Sequence, residues 1–211
     1  MYKIIMSLIC VFSVVTSTHA ATFSLEYKGF HERMKRVHKG NFPQTELVFS
    51  VPQVNGCTIQ SGYIATEKRQ FPLTYNEYQR VFIPFDEELK NNRGLINIEV
   101  DGDGKSCGIA MQIRVKQPKQ QYDAKQLLTV IDEMDAMFDK LHGFPMKYFR
   151  DPLEGLTIAF VANDEAYVEI DGQSKIADNG MLQISRQTLV NSHDISFSTE
   201  PLVISPYLKQ D

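Results

Sequence analysis

The chain has 211 residues, 43% hydrophobic and 23% charged, with a formal net charge of −4. That length can bury a substantial core as one large domain or two small ones. A mildly acidic chain repels phosphate backbones, which argues against general nucleic-acid binding, and the lack of Trp weakens a carbohydrate-stacking platform.

Residues 1–20 are predicted to be a cleaved signal peptide. Lys3 supplies a positive start, residues 4–15 form an apolar run broken by Ser7 and Ser13, and residues 16–20 turn small and polar. Thr18 and Ala20 occupy the positions read by a signal peptidase, so cleavage is expected after Ala20. The apolar run is shorter than the roughly 20 residues a membrane anchor needs. Cys10 lies inside it without small residues just before, unlike a lipoprotein signal. No later segment has the length and apolarity of a spanning helix, and an outer-membrane barrel would need about eight or more strands of roughly ten residues. Cleavage leaves Cys57 and Cys107, which an oxidising compartment is expected to pair. Their separation does not match a C-x-x-C redox motif.

Residues 27–39 show helical spacing at Tyr27, Phe30, Met34 and Val37, with Gly40 as the stop. Lys28, Arg33, Lys35, Arg36 and Lys39 surround that stripe, with Glu32 the only acid. The period then becomes two. Strands are expected at 45–51, 57–66, 70–75, 78–83, 95–100 and 106–115, with turn chemistry at Asn55-Gly56 and 101–104. The expected fold is mainly β (α+β): residues 21–118 form a short N-terminal helix and an immunoglobulin-like antiparallel β-sandwich carrying the disulfide.

Residues 119–143 are expected to form an amphipathic connecting helix. Ala124, Leu127, Ile131, Met134, Phe138 and Leu141 make its apolar face, widened by Leu128 and Met137. Asp123 is the expected cap and Gly143 the stop. Asp132, Glu133, Asp135 and Asp139 make the outer face acidic. The apolar face is expected to be buried on the sandwich, since a coiled-coil dimer seam wants more heptads. Residues 144–211 form a smaller C-terminal β region, with strands at 156–161, 166–170, 181–184 and 195–198 and an apolar closing segment at 201–208. A short echo links residues 83–89 and 95–98 to residues 184–189 and 195–197: strand, capped turn, strand. By itself it is too short to establish a duplication.

Several motifs together resemble an uncharacterised family of gammaproteobacterial periplasmic proteins, known as a domain of unknown function. They are Tyr27-Lys28-Gly29-Phe30 with Arg33, Met34 and Lys39-Gly40; Cys57-Thr58-Ile59; Phe71-Pro72-Leu73; Ile83-Pro84-Phe85-Asp86 with Leu89-Lys90; Cys107-Gly108; and Ile204-Ser205-Pro206-Tyr207-Leu208. The resemblance implies a periplasmic home in a Gram-negative cell and brings no catalytic residues.

No catalytic or metal constellation emerges, and no cofactor is implied. His31, His38, His142 and His193 lack paired zinc-ligand spacing and read as surface histidines. Asp101 and Asp103 open like a calcium loop, but Lys105 stands where a third oxygen is needed, so a turn is expected. Ser192, His193 and Asp194 are merely adjacent, and no G-x-S-x-G elbow exists. The function expected is a non-catalytic binding or assembly module of the cell envelope. Its partner would be an envelope protein or an anionic envelope component, met along a loop end or an exposed strand edge; Lys28, Arg33, Lys35, Arg36 and Lys39 are the candidate anionic-surface contacts, although a solvated face or docking beside the acidic helix is the leading expectation for that run. The competing readings are an envelope hydrolase of polysaccharide or lipid, with two carboxylates in a cleft, and a chaperone-like or structural protein with an apolar groove.

Overall fold

The computed structural model describes residues 20–101, 104–161 and 165–208. The signal-peptide reading falls on residues 1–20 and so, Ala20 apart, lies outside them, as does Asp103 of the calcium-like run.

The first half runs β1 (Ala21–Glu26), α1 (Tyr27–His38), β2 (Thr45–Ser50), β3 (Ile59–Ala65), β4 (Gln70–Pro72), β5 (Thr74–Tyr75), β6 (Arg80–Phe82), α2 (Glu87–Asn91), β7 (Leu95–Val100) and β8 (Ala110–Val115). The second runs β9 (Gln121–Asp123), α3 (Ala124–His142), a 3-10 turn (Met146–Tyr148), β10 (Gly155–Ala159), β11 (Tyr167–Ile170), β12 (Gln173–Ile176), β13 (Met181–Ser185), α4 (Arg186–Val190), β14 (Asp194–Phe197) and β15 (Val203–Tyr207). The strands form four antiparallel sheets, so the mainly β expectation holds. Their orders are β1-β7-β3-β4, β5-β6-β2-β8, β12-β11-β14-β9 and β13-β10-β15.

These sheets repeat one plan. Replacing β1, α1, β2, β3, β4, β6, α2, β7 and β8 by β9, α3, β10, β11, β12, β13, α4, β14 and β15 converts the first half into the second. β1-β7-β3-β4 becomes β9-β14-β11-β12, and β6-β2-β8 becomes β13-β10-β15. Individual hydrogen bonds repeat too. Tyr27 N–H donates to Gly94 O at 2.9 Å, and Ala124 N–H to His193 O at 2.8 Å, each at the first residue of a helix. Val51 N–H donates to Gln79 O, and Phe160 N–H to Gly180 O. Both acceptor residues have positive φ, 60° and 72°. The short sequence echo is therefore one segment of a duplication that spans both halves. Equivalent elements also meet each other: β8 lies against β15 and α1 against α3, as in a two-fold pair.

Alternating burial builds the first core. Ile96, Ile98 and Val100 of β7 point inward with Ile59 and Ile64 of β3, beneath Tyr27, Val51 and Val81. The second core is organised by α3. Asp123 caps it by accepting from Lys125 N–H at 2.7 Å, while Gln126 Oε1 accepts from Asp123 N–H at 3.1 Å. Gly143, at φ 69°, ends it. Leu127, Ile131 and Met134 are buried as expected, but so is Val130, while Phe138 and Leu141 are only partly covered. Val130 belongs inside because α3 meets two bodies: the second half, and Ile113 and Val115 of β8 from the first.

Three sequence expectations need correction. Residues 70–75 are not one strand. β4 pairs with β3 and β5 with β6; Pro72 has no N–H to donate, and the chain changes sheet at buried Leu73. Cys57 and Cys107 precede β3 and β8 rather than beginning them. β1, β9 and β12 were not expected, and β15 was expected only as an apolar closing segment, although Phe23 and Leu25 already alternate in β1.

Candidate functional site

The basic helix α1 turns Tyr27 inward and its cations outward. Lys28, Arg33, Arg36 and Lys39 are exposed and Lys35 is half-buried. They do not converge on one point. Arg33 Nη1 donates to Gly29 O of its own helix, and Lys35 Nζ lies 3.5 Å from Glu87 Oε1. Arg36 Nη1 donates to Leu141 O at 2.6 Å, fastening α1 to the C-terminal turn of α3.

His31 corrects the surface-histidine reading, for it is fully buried. Its ring stacks on Phe85 with centroids 4.6 Å apart, and His38 stacks on the same Phe85 ring at 5.2 Å. The seven-residue spacing thus clasps an aromatic ring rather than a metal. His31 Nε2 lies 3.5 Å from Glu87 Oε1, and Lys90 Nζ sits between Glu87 at 3.1 Å and Glu32 at 3.4 Å. The Lys90 hydrogen bond holds the Glu87 carboxyl below the usual carboxylate range. Beside this cluster the Tyr27 hydroxyl donates to Pro84 O at 2.6 Å and accepts from Asp86 N–H at 2.8 Å. Burial raises its pKa above the ordinary tyrosine value. Tyr27→Phe strands both backbone partners and should cost about 1–3 kcal/mol in urea unfolding.

A cleft of about 1170 Å³ opens between the end of α3, residues 150–154 and α4. Arg150 crosses its floor, donating to Asp135 Oδ1 at 2.8 Å, Asp139 Oδ1 at 2.9 Å and Asp135 O at 2.8 Å. Arg186 donates to Asp132 Oδ1 at 2.7 Å and Asp135 Oδ2 at 3.2 Å. Asp132, Asp135 and Asp139 of the acidic face read from the sequence are therefore paired with two arginines that sequence reasoning did not single out. Acids spaced three and four apart at 132, 135 and 139 were the available signal. Glu133 is used otherwise: Oε1 accepts from Gln44 N–H, Thr45 N–H and the Thr45 hydroxyl. His142 Nδ1 lies 2.9 Å from Phe138 O in its own helix. Asp151 and Glu154 place two further carboxylates on the cleft wall.

The other sequence candidates serve the fold. Asp101 Oδ2 accepts from Gln60 Nε2 at 2.7 Å, and the Ser192 hydroxyl donates to Thr188 O at 2.8 Å. Among the described residues no three His, Cys, Asp or Glu gather as a metal-ligand group. Asp171, at φ 48°, closes a turn by accepting from His193 and Asp194 N–H, both at 2.9 Å. Those backbone bonds, first from Asp194 and then from His193, hold its carboxyl below its ordinary value of 3.8. A depressed folded pKa gives stability that is complete above the ordinary value and lost as pH falls through the folded one. Asp171→Asn tolerates the left-handed backbone, so urea midpoints of variant and parent should differ at neutral pH and draw together in acid.

Cys57 and Cys107 are bonded, with Cα atoms 5.6 Å apart and 50 residues between them in sequence. The bridge ties the loop before β3 to the loop before β8. With the doubled antiparallel plan, it defines a disulfide-stapled, mainly β protein clasped by one long helix. Residues 19–160 match the family described as Protein of unknown function (DUF2987), and the chain belongs to that family. The match crosses from the first repeat into α3 and β10 of the second. No curated protein and no solved structure matches the chain.

Proposed function

We propose that the chain is exported to the periplasm through a signal peptide at residues 1–20 and acts as a non-catalytic binding or assembly module of the cell envelope. One observation carries the non-catalytic part. In the cleft beside α3 and α4, Arg150 and Arg186 are committed to Asp132, Asp135 and Asp139, groups that a catalyst would hold ready for substrate. The Cys57–Cys107 bond supports export, since such bonds persist in oxidising compartments. Of the α1 cations Lys28, Arg33, Lys35, Arg36 and Lys39, the exposed four, all but the Glu87-paired Lys35, supply the contact to an anionic envelope component.

Crosslinking in the native envelope under oxidising conditions tests the reading, together with N-terminal sequencing of the recovered protein. An N-terminus at Ala21 and one stoichiometric partner are the expected result. No partner, with release of sugar or lipid fragments on incubation, would overturn it. The hydrolase reading draws on Asp151 and Glu154 lining one cleft; it requires that Glu154→Gln abolish such release. The apolar-groove reading finds less support, because that cleft mixes apolar side chains with four charged ones.

A further inference from the structure

The segment between α3 and β10 exposes large apolar side chains to an unusual degree. Phe144 is 84% exposed, Met146 55%, Tyr148 68% and Phe149 79%. Singly exposed hydrophobics are ordinary, but four within six residues form a patch that marks an interaction site. Their exposure does not come from a loop without internal bonds. Lys147 N–H donates to Gly143 O, Tyr148 N–H to Pro145 O and Phe149 N–H to Met146 O, at 2.9–3.1 Å. Arg150 anchors the end of the segment to Asp135 and Asp139. The backbone is thus held by its own turns while the side chains are presented outward.

The surroundings of the patch are basic. Lys147 Nζ lies 4.8 Å from the Tyr148 ring centroid. Lys140 is exposed on the last turn of α3, and the hydrogen bond from Arg36 to Leu141 O brings the end of α1, with Lys39, to the base of the segment. Of the nearby acids, Asp135 and Asp139 are bound by Arg150, leaving Asp151 and Glu154 on the cleft wall against four cations. Aromatic and thioether side chains ringed by cations suit the boundary between acyl chains and anionic headgroups, where tyrosine also keeps its hydroxyl wet. Four such side chains offer on the order of 500 Å², short of the roughly 800 Å² per partner of a stable protein interface.

We infer that Phe144, Met146, Tyr148 and Phe149 insert into an anionic lipid surface, with Arg36, Lys39, Lys140 and Lys147 meeting its headgroups. This rests on the envelope reading, which N-terminal sequencing and fractionation test separately. The chain has no Trp, so Tyr148→Trp supplies a single reporter. Its emission should shift to the blue with phosphatidylethanolamine–phosphatidylglycerol vesicles and change little with phosphatidylcholine vesicles. In cosedimentation the Phe144→Ser/Phe149→Ser protein should bind the anionic vesicles about tenfold more weakly or worse, with its circular dichroism unchanged because both rings are exposed. Lys140→Gln/Lys147→Gln should reduce the preference for anionic over neutral vesicles. Absence of vesicle binding by the parent, or unchanged binding by the phenylalanine variant, would overturn the inference. So would a concentration-dependent dimer in sedimentation that the phenylalanine variant abolishes, which would make a second copy the occupant.

Discussion

The Cys57→Ser/Cys107→Ser protein should be less stable than its parent by about 4 kcal/mol, the loop-closure entropy of a cross-link spanning 50 residues. That is a large part of the roughly 5–15 kcal/mol net stability of a typical domain. The bond joins two loops on the first core, where Cys57 is buried with Ile59 and Val100. Its loss frees the connections into β3 and β8 while leaving their ladders to β7 and β2 intact. Guanidinium unfolding of parent and variant, monitored by far-ultraviolet circular dichroism, measures the difference. Thiol-blocking mass spectrometry verifies that the parent carries no free Cys57 or Cys107. A variant as stable as the parent would refute the structural role of the bond.

Ile131→Ala should cost about 2–5 kcal/mol, against roughly 1 kcal/mol for Ile131→Val. Ile131 is fully buried on α3, in the cluster that joins Leu156, Ile158 and Phe197 of the second half to Ile113 and Val115 of β8. A cavity there loosens the contact between the halves as well as the helix. The same denaturation experiment should therefore show one transition in the parent, displaced to lower denaturant in Ile131→Ala. Val190→Ala, at an exposed position of α4, should lie within about 0.5 kcal/mol of the parent.

Local patterns announced the elements whose physics is local. α3 was legible from its apolar spacing, its Asp123 cap and its Gly143 stop, whereas α2 and α4 showed only as the capped turns of the short echo, and the structure identifies Asp86 and Ser185 as the caps. The disulfide was legible because the expected removal of residues 1–20 leaves two cysteines. What could not be read is fixed by distant partners. Residues 70–75 look like one strand, since nothing nearby says that Gln70–Pro72 belongs to β3 and Thr74–Tyr75 to β6. His31 is buried because Phe85 stacks on it from across the core edge. The acidic face of α3 seemed open because Arg150 and Arg186, distant in sequence, close it. The repeat shows faintly in sequence because sheet order, unlike residue identity, tolerates any pair of side chains that keeps the alternation.

The contact of β8 with β15 has a consequence for how the chain avoids clumping. Each strand is laddered on one flank only, to β2 and to β10, and an open flank is a template for another molecule's strand. Here β8 and β15 lie against each other, so each strand's own counterpart, tethered permanently by the intervening polypeptide, is the shelter nearest to hand. A solitary repeat would have to find that shelter on a neighbouring molecule, by diffusion and at whatever concentration the cell allowed. Fusion in tandem turns a meeting of strangers into an intramolecular certainty, with an effective concentration in the millimolar range or above.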